Sequence, residues 1–296
     1  MKILVTGAGG FIGRHVTELF HQRSHEVIPH EHAKEGELAE SWIPSGVEAV
    51  VNCAGRLGGQ GAGMEEMRRA NVELPRLLGE FCARSGVPMI HLSTPGVTGL
   101  RPSASENDAL DPWGEYEITK AEAERILLEL LPSEQLTVLR PDFVYGPGDL
   151  HKLTLFKQVA RGWFPLIGMG RARLRPTFVL DVCRAVAMGL PNGALQGGLF
   201  NIGGPEVISI SNLVGALGRS MGRRVLRIPV PKMLLRACLG LGPLCPSSLS
   251  ASRIRLFGED HYVSIVRAAA AGFSPRFDLD EGLKATVAWY RTGKLL

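Results

Sequence analysis

Apolar and polar residues alternate along this chain in two different patterns. In the first half, short apolar runs are separated by longer segments whose apolar residues recur every three or four positions. The short runs are typical of buried parallel strands, and the longer segments are typical of helices that cover a sheet. Together they predict an α/β fold with a doubly wound parallel sheet. The predicted strands are residues 2–6, 26–29, 49–53, 89–93 and 137–140.

Two amphipathic segments are the predicted helices between these strands. Residues 70–87 and 116–131 each carry an apolar stripe at helical spacing, so one face of each should lie on the sheet. Gly86 and Pro132 mark their C-terminal ends.

The pattern changes after Pro141. Residues 145–153 and 161–176 are rich in glycine, proline and arginine, as loops over a binding site often are. One further strand of the main sheet is predicted at 177–180, followed by a helix at 181–190. The remaining predicted elements are an apolar segment at 198–204, a helix at 210–222, a strand at 224–230 and a helix at 279–293.

These elements predict a Rossmann domain joined to a smaller, partly interleaved C-terminal lobe that binds substrate. The Rossmann domain is assigned to residues 1–145 and 176–200. The substrate lobe is assigned to residues 146–175 and 201–296.

Composition supports a folded chain of one large domain or two closely joined ones. The 296 residues are 45% hydrophobic and 21% charged, which is enough to bury a full core. The formal charge of +4 comes without a basic track interleaved with aromatics, so we predict no nucleic-acid partner. An anionic small-molecule substrate is compatible with this charge balance, and so is a slightly basic surface.

The cysteines and the apolar segments bear on the compartment. Five scattered cysteines without a C-x-x-C pair argue against a disulfide framework or a zinc site. Lys2 and a glycine turn flank the first apolar run, which is too short for a signal peptide. Residues 230–245 are apolar, but Lys232, Arg236 and Pro243 interrupt them, so we predict a pocket-lining or packing helix and no membrane span. A reducing cytoplasm is the predicted location.

The segment KILVTGAGGFIGRHV places three glycines between a strand and a helix. Gly7 permits a tight turn, Gly10 lets the backbone approach a pyrophosphate, and Gly13 allows close packing of helix on strand. Because the motif has a strand before it and a helix after it, the sequence predicts a dinucleotide site.

An acidic residue is expected about twenty residues after such a turn, where it binds the adenosine ribose. Glu31 stands there and favours NAD, because a 2'-phosphate would meet a like charge. His30 and His32 beside it leave room for NADP. With His25 they suggest a metal, but no register brings the three together, so no metal site is predicted.

Tyr116 and Lys120 stand four residues apart on a predicted helix, so their side chains share one face. An ammonium beside a phenol lowers the pKa of the phenol, which would let Tyr116 exchange a proton with a substrate oxygen. Lys120 could also hold a nicotinamide ribose. The spacing alone is common by chance, but its position after a glycine turn favours catalysis.

The segment HLSTPGVTG supplies hydroxyl groups at a strand end. Ser93 and Thr94 should lie at the carboxyl edge of the sheet, where open α/β folds bind ligands. A hydroxyl there could orient the reacting oxygen.

The ordered motifs TGAGGFIG, VNCAG, HLSTPGVTG, YEITK, LRPDFVYGPG, FVLDV and FNIGG resemble the extended short-chain dehydrogenase/reductase family, of the NAD-dependent epimerase/dehydratase type. The resemblance covers nearly the whole chain. It implies Thr94, Tyr116 and Lys120 as the catalytic set. It also implies a homodimer paired through helices at 71–84 and 116–131. The cofactor contacts that it implies are Gly7, Gly10, Phe11, Ile12, Gly13, Glu31, Cys53, Ala54, Gly55, Tyr116, Lys120 and Pro141.

The chain departs from the family pattern in several places. Val97, Thr98 and Gly99 stand where epimerases commonly carry V-Y-G, and the segment between Glu31 and Val47 is short for a helix plus a strand. Dehydratases of the family place an Asp-Glu pair after the catalytic threonine. Here Pro95 and Gly96 follow Thr94, which argues against elimination chemistry.

The leading hypothesis is an NAD(P)-dependent oxidoreductase that acts at a secondary alcohol or ketone of a nucleotide sugar, as an epimerase or a 4-ketoreductase. The substrate contacts would come from Ser93 and Thr94 and from three arginines that could grip a diphosphate: Arg171, Arg173 and Arg175. An alternative is a dehydrogenase of an apolar, hydroxysteroid-like alcohol or ketone. A third hypothesis is a non-catalytic dinucleotide sensor, which the Tyr/Lys pair disfavours.

Overall fold

The structure is a computed structural model, and it describes residues 1–31, 40–58, 63–239 and 251–296. The strands in chain order are β1 (Lys2–Thr6), β2 (Glu26–His30), β3 (Ala49–Asn52), β4 (Met89–Leu92), β5 (Leu136–Pro141), β6 (Val144–Tyr145), β7 (Trp163–Ile167), β8 (Arg173–Leu174), β9 (Thr177–Phe178), β10 (Gly198–Ile202), β11 (Ile208–Ser209) and β12 (Leu226–Val230).

The helices in chain order are α1 (Phe11–Gln22), α2 (Met64–Arg68), α3 (Leu74–Ser85), α4 (Glu115–Leu130), α5 (Leu153–Ala160), α6 (Val179–Met188), α7 (Ile210–Ser220), α8 (Lys232–Leu239), α9 (Ala251–Gly258), α10 (Val266–Ala270) and α11 (Leu279–Thr292). A π-helical turn, Arg69–Glu73, joins α2 to α3, and short 3₁₀ helices lie at Glu40–Trp42 and Pro95–Thr98.

The central sheet has six parallel strands in the order β10-β5-β4-β3-β1-β2. Chain order therefore reverses between β1 and β3, which is where open α/β sheets bind ligands. Ile3 and Val5 of β1 pack on the face covered by α1 and α6, while Leu4 packs on the face covered by α3 and α4. This alternation buries both faces and confirms the predicted doubly wound sheet.

The five predicted strands are confirmed, with ends that differ by a residue. The predicted helices correspond to α3 and α4, and Gly86 ends α3 in the left-handed conformation that glycine adopts easily, with a φ of +71°. The helices predicted at 181–190, 210–222 and 279–293 correspond to α6, α7 and α11.

The predicted sheet strand at 177–180 is wrong. Only Thr177 and Phe178 are extended, and they pair with β6 outside the central sheet. Helix α6 begins at Val179, because Val179, Val182 and Val186 form the buried stripe of a helix. The sixth strand of the sheet is β10, within the segment 198–204.

The prediction of a loop over 161–176 is also wrong in part. Strand β7 lies inside it and pairs in parallel with β12. Gly162 and Gly168, which suggested a loop, have positive φ values and form the turns at the two ends of this strand.

A second hydrophobic core lies in the C-terminal half. It joins Phe156 of α5, Leu166 of β7, Leu217 of α7 and Tyr290 of α11. The division into a domain of 1–145 with 176–200 and a lobe of 146–175 with 201–296 stays a prediction. The predicted packing helix at 230–245 begins as α8, and residues 240–245 lie outside the described residues.

Candidate active site

The loop between β1 and α1 is shaped for a dinucleotide. Gly7 has a φ of +67°, and a Cβ there would lie 2.7 Å from the backbone of Ala54. A Cβ on Gly13 would overlap the carbonyl oxygen of Gly7, so only glycine lets α1 begin this close to the turn. Gly10 precedes α1 without a side-chain cap, which leaves the first amides of the helix facing the loop. These backbone groups fit a pyrophosphate bound at a helix N-terminus.

Glu31 follows β2, and its carboxylate lies over the glycine loop, where a Cβ on Gly9 would overlap it. Cys53, Ala54 and Gly55 follow β3. Burial raises the pKa of the Cys53 thiol to about 12, so this thiol is protonated at neutral pH. Because β1 lies between β2 and β3, these residues flank the glycine loop on both sides.

Three other predicted cofactor contacts lie along the same edge of the sheet. Phe11 and Ile12 open α1 and pack, partly buried, against the core on that face. Pro141 ends β5 and lines a cavity beside the strand ends.

A chain of buried polar side chains crosses the sheet below the predicted site. Thr6 Oγ1 donates to Asn52 Oδ1 at 2.7 Å, and Asn52 Nδ2 lies 3.1 Å from Nδ1 of His91. Lys120 Nζ lies 3.3 Å from Nε2 of His91 and donates to the carbonyl oxygen of Leu92 at 2.6 Å. Burial and the adjacent ammonium hold the pKa of His91 well below its usual value, so its ring is neutral. Three strands and α4 are thereby connected through one line of contacts.

Burial also lowers the pKa of Lys120 to about 8, although the charge of Glu124 opposes this effect. Glu124 lies one turn further along α4 and forms a buried ion pair with Arg140, with Arg140 Nε to Glu124 Oε1 at 2.9 Å. Lys120 is 1% exposed, and its ammonium lies on the side of α4 that faces β4.

Tyr116 and Lys120 have the predicted spacing on α4, but the predicted electrostatic effect is wrong. Burial, with the charge of Glu117, raises the pKa of Tyr116 above its usual value. The Lys120 ammonium is turned toward Leu92 and His91 instead. Within the described part of the chain, the Tyr116 side chain makes no hydrogen bond. Its phenol is thus protonated at neutral pH and can act as a proton donor.

A cavity of about 130 Å³ lies beyond the carboxyl ends of β4 and β5. Thr94 and Pro141 line it. Thr94 caps the 3₁₀ helix, where its Oγ1 accepts a hydrogen bond from the amide of Gly96 at 3.3 Å. Ser93 lies outside the lining, and its buried Oγ has no hydrogen-bond partner in the ranges that the structure describes. Of the two predicted hydroxyl residues, Thr94 therefore lines the cavity and Ser93 does not.

Glu117 reaches into this cavity from α4, although the sequence analysis did not single it out. A Cβ on Gly96 would lie 2.6 Å from its Cγ, and one on Gly114 would lie 2.5 Å from its Oε2. Burial raises the pKa of Glu117 above its usual value. The absence of side chains at two glycines thus makes room for a carboxyl beside Thr94. Its position directly after Tyr116 was the available signal.

Asp142 is a second carboxyl that the sequence analysis missed. It lines the cavity, is 3% exposed, and accepts a hydrogen bond from the amide of Val263 at 3.3 Å. Burial raises the pKa of Asp142 to about 7, although backbone amides and the Arg175 charge oppose this. Its position directly after Pro141 at a strand end could have indicated it.

The three predicted substrate arginines lie in different environments. Arg175 interacts electrostatically with Asp142, and its Nε and Nη1 are enclosed without a hydrogen-bond partner among the described residues. Arg173 donates to Asp260 from Nη2 at 2.6 Å and lies over the ring of Tyr262. Arg171 is exposed. None of the three lines the cavity; Arg175 lies next to it through Asp142, and the arginine in the lining is Arg101, which the sequence analysis did not single out.

The predicted absence of a metal rests on histidines that the structure places apart. His30 stacks on Trp42 with ring centroids 3.8 Å apart, and His25 packs edge-on to Phe20. His32 lies outside the described residues. In the described ranges no cluster of His, Cys, Asp and Glu could hold a metal ion, and no helix is long and apolar enough to cross a membrane.

The glycine loop, the open end of α1 and the carboxylate of Glu31 define a dinucleotide-binding α/β protein. With Thr94, Tyr116 and Lys120 near the same sheet edge, they define the class of short-chain dehydrogenases and reductases. Residues 3–203 match the model of the NAD dependent epimerase/dehydratase family. The chain belongs to this family and is an epimerase- or reductase-type enzyme whose cofactor is NAD.

Relatives match over nearly the whole chain. The chain is 27% identical to 2-alkyl-3-oxoalkanoate reductase of Stenotrophomonas maltophilia K279a, over 96% of this chain and 98% of the relative. It is 24% identical to N-acetyl-alpha-D-glucosaminyl-diphospho-ditrans,octacis-undecaprenol 4-epimerase of Escherichia coli O157:H7, over 97% and 95%. The solved structure of MoeE5 in complex with UDP-glucose and NAD is 25% identical, with a TM-score of 0.77 and coverage of 99% and 100%.

Proposed function

We propose that the protein is a 4-ketoreductase or 4-epimerase of a diphosphate-linked sugar, most plainly a nucleotide sugar. NAD, when bound, exchanges a hydride with the sugar carbon. In the reductive direction, Tyr116 donates its proton to the ketone oxygen, which becomes the hydroxyl of a secondary alcohol. Thr94 orients that oxygen. The raised pKa of Tyr116 supports its role as a donor, because the phenol holds its proton until a substrate oxygen accepts it.

The observation that carries this proposal is the Arg175 guanidinium. Two of its nitrogen atoms are enclosed and have no hydrogen-bond partner among the described residues, although buried charged groups are usually paired. The adjacent Asp142 has a pKa raised to about 7, so it neutralises the cation only in part at neutral pH. A diphosphate would complete the hydrogen bonds of this arginine.

The names of two similar proteins support the same substrate chemistry. The Escherichia coli relative is an epimerase of a diphospho-linked sugar, and MoeE5 was solved with UDP-glucose and NAD. Both therefore concern a sugar that carries a diphosphate.

Calorimetry with UDP and dTDP tests the proposal, using Arg175→Gln and the matched control Arg171→Gln. We expect the Arg175 variant to lose at least about tenfold in affinity, because charged hydrogen bonds contribute roughly 1.5–3 kcal/mol each. The exposed Arg171 should leave affinity within about twofold. In turnover assays with keto sugars, Tyr116→Phe should retain NAD binding and lose activity. Undetectable binding of any diphosphate by the wild type would refute the proposal.

A second candidate is reduction of an apolar ketone, which a specific feature of the cavity favours. Leu100, Trp113, Phe143 and Leu256 line it beside the charged groups. The Stenotrophomonas maltophilia relative is named for an alkyl-substituted oxoalkanoate. Oxidation of NADH with long-chain 3-oxoalkanoates, in the absence of any diphosphate affinity, would favour this candidate.

We further propose a homodimer paired through α3 and α4, in the cytoplasm. Ile118 and Leu128 are exposed on α4, which supports a dimer contact at this helix. For the cytoplasmic location, the support is that Cys53, Cys82 and Cys183 are free thiols, as a reducing compartment would leave them. Sedimentation should give a dimer that Leu128→Glu converts to a monomer. A monomeric wild type would refute the pairing.

A further inference from the structure

The charge of the chain is unevenly distributed. Between Glu206 and Glu259 the sequence contains eight arginine and lysine residues and no aspartate or glutamate. This segment therefore carries a formal charge of +8, and because the whole chain carries +4, the remainder carries −4. Such an asymmetry indicates a surface that meets an anionic partner.

The same segment contributes an exposed apolar surface. In the β7/β12 sheet, Trp163 pairs with Leu226, and Pro165 pairs with Ile228. Along β7, Phe164 and Leu166 alternate with Trp163 and Pro165. Leu166 belongs to the C-terminal core, and Phe164 packs against it. The other side of the sheet therefore faces solvent.

The start of α8 follows β12 in the chain and carries further exposed apolar side chains. Leu226 is 65% exposed and Met233 is 82% exposed. We name the surface the apolar face and define it by Trp163, Leu226, Ile228, Met233 and Leu234, all of which are exposed. Large apolar side chains gathered in this way mark an interaction site.

Unpaired cations border the apolar face. Arg223 and Arg224 lie one residue before β12, are exposed, and form no ion pair with any described residue. They line a cavity of about 640 Å³ between α7 and the start of β12, together with Arg227, Glu206 and Arg219, which is paired with Asp280. Lys232 begins α8 on the other side of the strand.

From this arrangement we propose that the apolar face docks on the surface of a membrane that contains anionic lipids. Leu226, Ile228 and Met233 enter the boundary between head groups and acyl chains, and Trp163 sits at the level of the head groups. Arg223 and Arg224 lie against the anionic head groups.

The charge distribution favours a bilayer over the other possible occupants. A symmetric contact with a second copy would bring together two segments of charge +8, neither of which contains a carboxylate, while Glu206 and Asp280 beside them supply only two negative charges per copy. A nucleic acid would match the cations but would leave the aliphatic side chains without partners. An anionic bilayer satisfies both features.

The apolar face also lies close to the candidate active site. Helix α9 packs against both β7 and α8, and its residue Leu256 lines the active-site cavity. A docked enzyme would thus hold its cavity near the membrane surface, which would suit a sugar or ketone carried on a lipid. That consequence rests on the proposed function, whereas the docking itself does not.

Co-sedimentation with vesicles tests the docking without any substrate, so its failure is distinct from a failure of the proposed activity. We expect the wild-type protein to bind phosphatidylglycerol/phosphatidylcholine vesicles at low salt and to be released from them by high salt. It should not bind vesicles of pure phosphatidylcholine. Leu226→Glu should weaken binding about tenfold or more. The matched control is Val266→Glu, which adds the same charge at a position 73% exposed on α10.

A second pair of variants tests the cations. Arg223→Gln combined with Arg224→Gln should weaken binding about tenfold or more and reduce its salt dependence. Arg23→Gln combined with Arg76→Gln removes the same charge from exposed positions on the other half of the chain and should have little effect. Absence of vesicle binding, equal binding to phosphatidylcholine, or equal losses in the controls would overturn the proposal. The proposal would also be overturned if the wild type did not bind vesicles but self-associated, and if Leu226→Glu abolished that self-association.

Discussion

The Nζ atom of Lys120 donates a hydrogen bond to the carbonyl oxygen of Leu92 at 2.6 Å. Leu92 is the last residue of β4, and Thr94 follows two residues later. One ammonium therefore ties helix α4, which carries Tyr116, to the strand end that carries the candidate hydroxyl. Lys120 thus holds two parts of the candidate site together through a hydrogen bond.

The first prediction concerns how kcat/KM depends on pH through the protonation of Lys120. Because burial lowers the pKa of Lys120 to about 8, kcat/KM should decline above about pH 8 as the ammonium loses its proton. Lys120→Arg keeps a charge that does not titrate in this range, so the decline should move to higher pH while overall activity falls. Rate profiles of the wild type and variant would check this. Lys157→Arg, on an exposed lysine of α5, is the control, and an unmoved alkaline limb in Lys120→Arg would contradict the assignment.

The second prediction concerns the effect of the Glu117 charge on the pKa of Tyr116. The charge of Glu117 contributes to the raised pKa of Tyr116, and its side chain fills the space over Gly96 and Gly114. Glu117→Gln keeps the shape and removes the charge, so the pKa of Tyr116 should decrease. The measurement is the ultraviolet titration of tyrosinate, taken as the difference between Glu117→Gln and its double variant with Tyr116→Phe. Glu115→Gln, at an exposed position in the same turn, should leave the titration unchanged.

Much of the fold followed from local pattern, because each central strand is a short apolar run and each crossover helix has its own stripe. The glycine loop and the spacing of Tyr116 and Lys120 were also local features. The pairing of β7 with β12 joins residues about sixty positions apart, and no local pattern reports such a partner.

The charge states in the site could not be read from the sequence for a related reason. The direction in which Lys120 points depends on His91 and Leu92, which reach it only through the packing of α4 on the sheet. Glu117 and Asp142 likewise become buried carboxyls through residues distant in sequence, such as Val263. Motif spacing locates a side chain on a helix face, whereas burial and partners set its pKa.

A third prediction follows from Asp142. Its folded-state pKa of about 7 lies above the ordinary value of 3.8, so the folded protein holds a proton that the unfolded chain releases. The corresponding stabilisation is complete below about pH 3.8 and is lost as the pH rises through about 7. Asp142→Asn resembles the protonated form, so its free energy of unfolding should rise relative to the wild type between about pH 5 and pH 8.

The expected gain at full ionisation is about 4 kcal/mol, since each pKa unit corresponds to about 1.4 kcal/mol. Denaturant unfolding of both proteins across this range is the measurement. Asp108→Asn, in the loop before α4, is the control and should show no such trend. A constant difference between wild type and Asp142→Asn would mean that Asp142 is ionised throughout the range.

The fourth prediction concerns the glycine loop. Gly13→Ala places a methyl group against the carbonyl oxygen of Gly7, and backbone on both sides leaves it no space. Helix α1 must then move away from the turn, which should abolish measurable NAD binding and lower the free energy of unfolding by about 1–3 kcal/mol. Titration with NAD and denaturant unfolding measure the two effects. Gly63→Ala is the control: Gly63 is the N-cap of α2, no atom of the described residues lies within 4 Å of an added Cβ, and neither quantity should change. If Gly13→Ala bound NAD as the wild type does, the pyrophosphate would have to lie elsewhere than at the end of α1.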